Sequence, residues 1–210
     1  MKKLSLILLI LIICGVQGCR KMRASESDTT GPVVDAKANV ISASKKLTAL
    51  KSLSAIVVGT GGSMDIKKDV QFVAPDKYHI KFDDETGAHV EMINIGGDSY
   101  LKSGDSWKKL PGSDPASSTF RNSFTDDVLE TISDVKFEGE ETLNGKAMFV
   151  YTYKLTTKAV NNTVNQKIWV DKSTGIPIKS VGEYSDSQVR TLTTTFDPET
   201  PVSIEAPTTK

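Results

Sequence analysis

The 210-residue chain has two cysteines, and both fall in its first nineteen positions, at Cys14 and Cys19. The rest must therefore hold together without a disulfide, on its core alone. Histidine is equally scarce. His79 and His89 stand ten residues apart with no HExxH spacing, so no zinc-ligand motif is present. There is no GxSxG elbow of the kind that presents a nucleophilic serine. Charge of one sign is missing too: 26 Lys and Arg balance 26 Asp and Glu, without the basic surplus expected of a nucleic-acid binder. The one sustained apolar run, Leu4 to Cys14, is about half of the ~20 residues a spanning helix needs.

That run follows Lys2 and Lys3 and ends at small residues, which is the layout of a secretory signal peptide. Its exit reads Val16-Gln17-Gly18-Cys19 and resembles the lipobox of bacterial lipoproteins, with an aliphatic residue three before the cysteine and Gly directly before it. Gln17 departs from the commoner Ala, Ser or Thr. Cys14 does not fit, because Ile13 before it is too bulky for cleavage. The resemblance implies removal of residues 1–18 and lipid attachment at Cys19, on the thiol and then on the new amine. At ~0.8 kcal/mol per buried methylene, two or more acyl chains such as palmitate make a stable membrane anchor. Because Arg20 rather than Asp follows the cysteine, the usual sorting rule points to the outer membrane in an organism with two membranes, and otherwise to the outer face of the plasma membrane. The alternative is an ordinary signal peptide or an uncleaved anchor.

Loss of residues 1–18 removes two lysines and no acid, leaving 24 basic against 26 acidic residues, a net of minus two. Residues 19–34 then form a lipidated cysteine and polar tether. Its Arg20, Lys21 and Arg23 are placed to meet lipid headgroups. Residues 35–210 fit one folded domain, expected to be monomeric.

Within that domain, Asp35 to Leu53 reads as a helix: Asp35 is an N-cap, and Val40, Ala43, Leu47, Leu50 and Leu53 form one apolar stripe. The period then changes to two. Val70 and Phe72, then Tyr78, Ile80 and Phe82, alternate on either side of Pro75-Asp76 and predict a hairpin. "HVEMINIGGDSYLKSGDSWKKL" predicts three short strands with turns at Gly96-Gly97-Asp98 and Ser103-Gly104-Asp105. Asn144-Gly145 marks another hairpin, with Phe149, Tyr151, Tyr153 and Leu155 on one face. Thr163–Val170, Ile176–Gly182 and Val189–Phe196 are the last strands. Phe124, Val128 and Ile132 interrupt the pattern at helical spacing, with Asp126 and Asp127 at the helix start. The order is helix, four or five strands, short helix, about five strands. The fold class is α+β, mainly antiparallel, with a long sheet that must curl to bury its apolar face.

No constellation for catalysis emerges. The histidines read as half-exposed strand residues. "GEETLNGKA" has five rather than four residues between Gly139 and Gly145, and Ala147 where a phosphate loop has Ser or Thr, so a hairpin turn explains it. Asp83-Asp84-Glu85 lacks the spaced ligands of a calcium loop and reads as a solvated turn.

Three segments carry a resemblance. "IWVDKSTGIPIKS" pairs Trp169 and Asp171 with Thr174-Gly175, Pro177 and Lys179. "TTTFDPETPVSIEAP" closes the domain, and "GGDSYLKSGDSWKKL" leads from a Tyr strand to a Trp strand. With the order of elements over Asp35 to Pro207, they resemble the LolA-like superfamily, and within it lipoproteins of the LppX and LprG type. That resemblance implies a curled, half-open β-barrel with two helices at its concave side. It also implies an apolar interior for acyl chains of a lipid or lipoprotein cargo, and neither cofactor nor catalysis. Alternation nominates Tyr78, Ile80, Phe82, Phe149, Tyr151, Tyr153 and Ile168 as cavity lining, with plain core packing as the other reading. Tyr100, Trp107 and Trp169 are expected to pack on the sheet. The alternative functions are a regulatory module of the same shape that binds a protein partner, and an enzyme acting on envelope material.

Overall fold

The computed structural model describes residues 35–110, 126–157, 162–185 and 188–209. Cys19, the tether and Phe124 lie outside these. Helix α1 (Ala36–Thr48) starts where expected, with the Asp35 carboxylate accepting from the Ala38 N–H at 2.9 Å. It ends five residues before Leu53. The last turn tightens, with Leu50 N–H reaching Leu47 O, and Thr48 Oγ1 donates to Lys45 O. The β-branched run Ile56-Val57-Val58 then favours a strand, and β1 (Ser52–Thr60) takes Leu53 as its second residue. Leu53 still meets the cluster that buries Leu47, but from the sheet.

Five strands follow by tight turns: β2 (Ile66–Val73), β3 (Lys77–Asp83), β4 (His89–Ile95), β5 (Asp98–Ser103) and β6 (Ser106–Leu110). After the short helix α2 (Asp126–Glu130) come β7 (Ser133–Leu143), β8 (Lys146–Thr157), β9 (Asn162–Asp171), β10 (Pro177–Glu183) and β11 (Thr191–Asp197). All eleven form one antiparallel sheet in the order β6-β5-β4-β3-β2-β1-β11-β10-β9-β8-β7. The first six strands step away from β1, the last five step back toward it, and β1 pairs with β11 at the seam. β6 and β7 are the two edges, so the curled sheet does not close into a barrel.

Expected and observed turns agree at Pro75-Asp76, Gly96-Gly97, Ser103-Gly104-Asp105 and Asn144-Gly145. Asn144 and Gly145 both have positive φ, 52° and 78°, as the tight hairpin turn requires. α2 is barely one turn long. Leu129 takes its core position and Val128 is only half-buried, while Ile132 is buried just past its end. Thr131 fastens this corner to β8, donating to Thr156 O at 3.0 Å and accepting from Thr156 N–H. The last strand starts at Thr191 rather than Val189. The residues before it are bonded to the β1–β2 turn instead: Met64 N–H donates to Gln188 O and Arg190 N–H to Thr60 O.

The sheet has apolar side chains on both faces. On the inner face, α1 buries Val40 and Ala43 against Tyr151, Tyr153, Ile168 and Val170, with Leu129 and Ile132 from the α2 corner. Leu47 packs with Leu53, Ala55, Phe72, Tyr78, Ile80 and Phe196 across the seam. Each fully buried aliphatic of this kind contributes about 1.5–3 kcal/mol. On the outer face, Ile204 of the C-terminal segment covers Ile93 and Tyr100 beside Trp107, and Trp169 packs on Met148 and Val150. The three rings expected to pack on the sheet do so there.

Candidate functional site

The seven side chains nominated from alternation all point to the helix-covered face. Tyr78, Ile80 and Phe82 come from β3, Phe149, Tyr151 and Tyr153 from β8, and Ile168 from β9. Register ties them together: Val70 faces Ile80, Phe72 faces Tyr78, and Tyr151 faces Ile168. They divide into two clusters rather than one. Tyr151, Tyr153 and Ile168 sit under the first half of α1, with Phe149 at their margin; Tyr78 and Ile80 sit under its second half, with Phe82 at theirs. Tyr151 and Ile168 are almost wholly enclosed, at 1% and 2% exposure. Burial raises the Tyr153 phenol strongly, so it stays neutral.

Two lysines in its last turn hold the helix over this face. Lys45 pairs with Asp126 of α2 at 2.9 Å, and Lys46 Nζ donates to Thr174 O at 3.0 Å. Thr174 belongs to the "DKSTG" turn between β9 and β10. Asp171 Oδ1 accepts from Ser173 N–H, Ser173 Oγ and Thr174 N–H, at 2.7, 2.5 and 3.1 Å. Burial pushes the Asp171 carboxyl up, but these bonds and the Lys146 charge bring it below its ordinary value. Gly175 sits at φ 69°, and a Cβ there would lie 2.4 Å from Lys46 Nζ. The Thr-Gly-x-Pro pattern is thus a docking turn for the helix lysine.

Beyond Phe82 the inner face opens into a cleft of about 770 Å³, lined by Met64, Ile66, Lys68, Phe82 and Val189, with Asp83 to Thr86 at its rim. That is within the ~300–1,000 Å³ usual for small-molecule pockets. The cleft is shaped by close contact of two turns. A Cβ on Gly59 would meet Ile66 Cγ1 at 2.6 Å and Val189 Cγ1 at 2.7 Å, and one on Gly62 would lie 1.7 Å from Gln188 O. Met64, Ile66, Lys68 and Val189 escaped sequence reasoning. Extending the Val70–Phe72 alternation two steps back would have placed Lys68 and Ile66 on this face; nothing local points to Val189. A smaller cleft, about 360 Å³, lies on the outer face around Ile56, which is 46% exposed.

The two histidines and Asp84 are engaged structurally. His89 Nδ1 pairs with Asp83 at 3.1 Å. Asp84 accepts from Thr86 Oγ1, Thr86 N–H and Ala88 N–H, and the Thr86 side chain above all holds its carboxyl low. His79 reaches Glu91 on the outer face at 2.8 Å. Among the described residues no group of three His, Cys, Asp or Glu is placed to hold a metal ion, and no helix is long and apolar enough to cross a membrane.

No protein-family model and no curated protein matches the chain. Solved structures do. The lipoprotein LppX of Mycobacterium tuberculosis aligns over 80% of this chain and 97% of its own, at 16% identity and a TM-score of 0.61. LprF from Mycobacterium bovis aligns over 82% and 97%, at 13% identity and a TM-score of 0.62. At these identities the likeness is one of fold: the chain has the fold of LppX and LprF.

Proposed function

We propose that this chain is a membrane-anchored lipoprotein that binds an acylated molecule against the inner face of its sheet and carries or holds it in the cell envelope. The observation that carries this reading is the continuity of apolar surface from the α1-covered clusters through Phe82 into the open cleft. Acyl chains are insoluble, so what a carrier must supply is a concave apolar surface shielded from water. No reactive group is needed, and the assignment involves no catalysis and no cofactor. Lipid attachment at Cys19 places the domain on the extracytoplasmic side of a bacterial membrane, at the outer membrane where there are two. The tether of residues 20–34 gives the domain reach. The fold shared with LppX and LprF supports the reading.

The test is native mass spectrometry of residues 25–210 purified without detergent, followed by lipid extraction. A lipid or other acylated species at near one per chain is expected. Protein that is purely unliganded, and that also fails to take up a fluorescent fatty acid, would overturn the reading. The anchor is tested separately: Cys19→Ala should move the full chain from the membrane to the soluble fraction and abolish palmitate labelling.

A further inference from the structure

Two lysines lie on an aromatic ring with no carboxylate in ion-pairing distance among the described residues: Lys179, on Trp169 of the outer face, and Lys68. The Lys68 Nζ is 5.2 Å from the centre of the Phe82 ring, on the inner face, where Lys68 and Phe82 are direct cross-strand partners. Lys102, Lys109, Lys167 and Lys172 also lie on rings, yet each has a carboxylate as well: Glu91, Asp98, Glu141 and Glu140. Among the described residues none is within ion-pairing distance of Lys68. Lys68 is therefore a half-buried residue with an aromatic neighbour and no ion-pair partner among the described residues, in the wall of a cleft also lined by Met64, Ile66, Lys67, Gln188 and Val189, with Asp83 to Thr86 at its rim. A cation on an apolar, ring-backed surface is poorly hydrated and attracts an anion more strongly there than in open water.

We propose that the cleft takes the anionic end of an acyl chain, with the chain lying along Phe82 and Ile66 and a single carboxylate or phosphate oxygen paired to Lys68 Nζ. This rests on the lipid-binding reading and names its ligand class. The rim sharpens it. Asp83 is paired with His89, Asp84 is bound by its own turn, and Glu85 adds a third acid. A polyanionic headgroup would be repelled at that rim. A single anionic oxygen paired to Lys68 meets less of that repulsion.

The full chain, reconstituted in phosphatidylcholine nanodiscs, is labelled with photoreactive dodecanoate, dodecanol and dodecylamine analogues that differ only at the end group. Each yield is compared between wild type, Lys68→Gln and Lys68→Arg, so differences in partitioning into the nanodisc cancel. Dodecanoate labelling should fall about tenfold in Lys68→Gln, the loss of one charge-assisted bond. It should be kept in Lys68→Arg, and dodecanol labelling should be unchanged in both. Acetate in excess should not compete, which separates an amphiphile site from a free-anion site. Equal labelling by dodecanoate and dodecanol that Lys68→Gln leaves unaltered would overturn this inference while sparing lipid binding. Preferred labelling by dodecylamine would overturn it in favour of the rim acids. No labelling by any probe would overturn the lipid-binding reading itself.

Discussion

Replacing Glu91 by glutamine removes a carboxylate that two lysines and a histidine share. Glu91 lies on the outer face of β4 at 8% exposure. Its oxygens are 2.8 Å from His79 Nε2, 2.7 Å from Lys102 Nζ and 3.5 Å from Lys81 Nζ. Burial alone would push its carboxyl up. The bonds from Lys102 and His79, with the charges of Lys81 and Lys102, win, and it falls from 4.5 to about 2. At ~1.4 kcal/mol for each tenfold in proton affinity, that corresponds to about 3 kcal/mol of folding stability. Lys81 and Lys102 are 44% and 41% exposed, so solvent screening trims the figure to about 2 kcal/mol. The sign follows from a depressed folded-state value: the contribution is complete above pH 4.5 and is lost as pH falls through about 2. Urea unfolding followed by tryptophan fluorescence should therefore show Glu91→Gln about 2 kcal/mol less stable than wild type at pH 7. The gap should shrink below pH 4.5 and close below pH 2, where the wild-type side chain is itself protonated. The other depressed carboxyls are common to both proteins and cancel in the difference. A gap that is absent at pH 7, or that stays constant down to pH 2, would refute the reasoning.

Further outcomes are expected. Gly175→Ala forces a Cβ into the left-handed region and against Lys46 Nζ, so it should cost about 1–2 kcal/mol in thermal unfolding, whereas Lys46→Ala, at an exposed bond, should cost less. Tyr151→Ala should cost about 3–5 kcal/mol as a core deletion. Phe82→Ala should instead leave a folded domain with weakened uptake of a fluorescent fatty acid, and equal uptake with and without the Phe82 ring would remove that residue from the site. Asn94 is 4% exposed, and its amide oxygen and nitrogen have no hydrogen-bond partner among the described residues, so Asn94→Leu should be neutral or stabilising by up to ~1–3 kcal/mol in denaturant titration.

What could be read from the sequence was local, and what could not was the meeting of distant segments. Asn144-Gly145 announces its hairpin because both residues accept positive φ, and the alternation around it assigns Phe149, Tyr151 and Tyr153 to one face. β1 was hidden because Leu50 and Leu53 continue the helical spacing of Leu47 by coincidence: Leu53 returns to the same cluster from a strand. The seam is non-local, with Ala55 opposite Phe196, and no periodicity encodes it. The cleft is harder still. Phe82 was legible from its hairpin, but Met64, Ile66 and Val189 converge only because Gly59 and Gly62 let two turns touch, and neither glycine announces its partner in the sequence.

The packing of the seven nominated residues bears on where a cargo could lie. Tyr78, Ile80, Tyr151, Tyr153 and Ile168 are buried, already covered by α1 and by one another. Phe149 is screened by the Phe137 ring at 5.8 Å and by Lys172 at 4.9 Å. A core packed in this way has no room for an acyl chain unless the helix lifts, which would expose Val40, Ala43 and Leu47 at about 1.5–3 kcal/mol for each large aliphatic. Phe82 is different: one edge joins the Tyr78–Ile80 cluster and the other lines the cleft. The same inner face thus does two jobs along its length. Beneath α1 it is the core that fixes the fold, and past Phe82 it is open apolar surface that nothing among the described residues fills. Binding that begins at the open end costs no core contact, so on the proposed lipid-binding reading a cargo's first hold on the chain belongs at Phe82, Ile66 and Lys68.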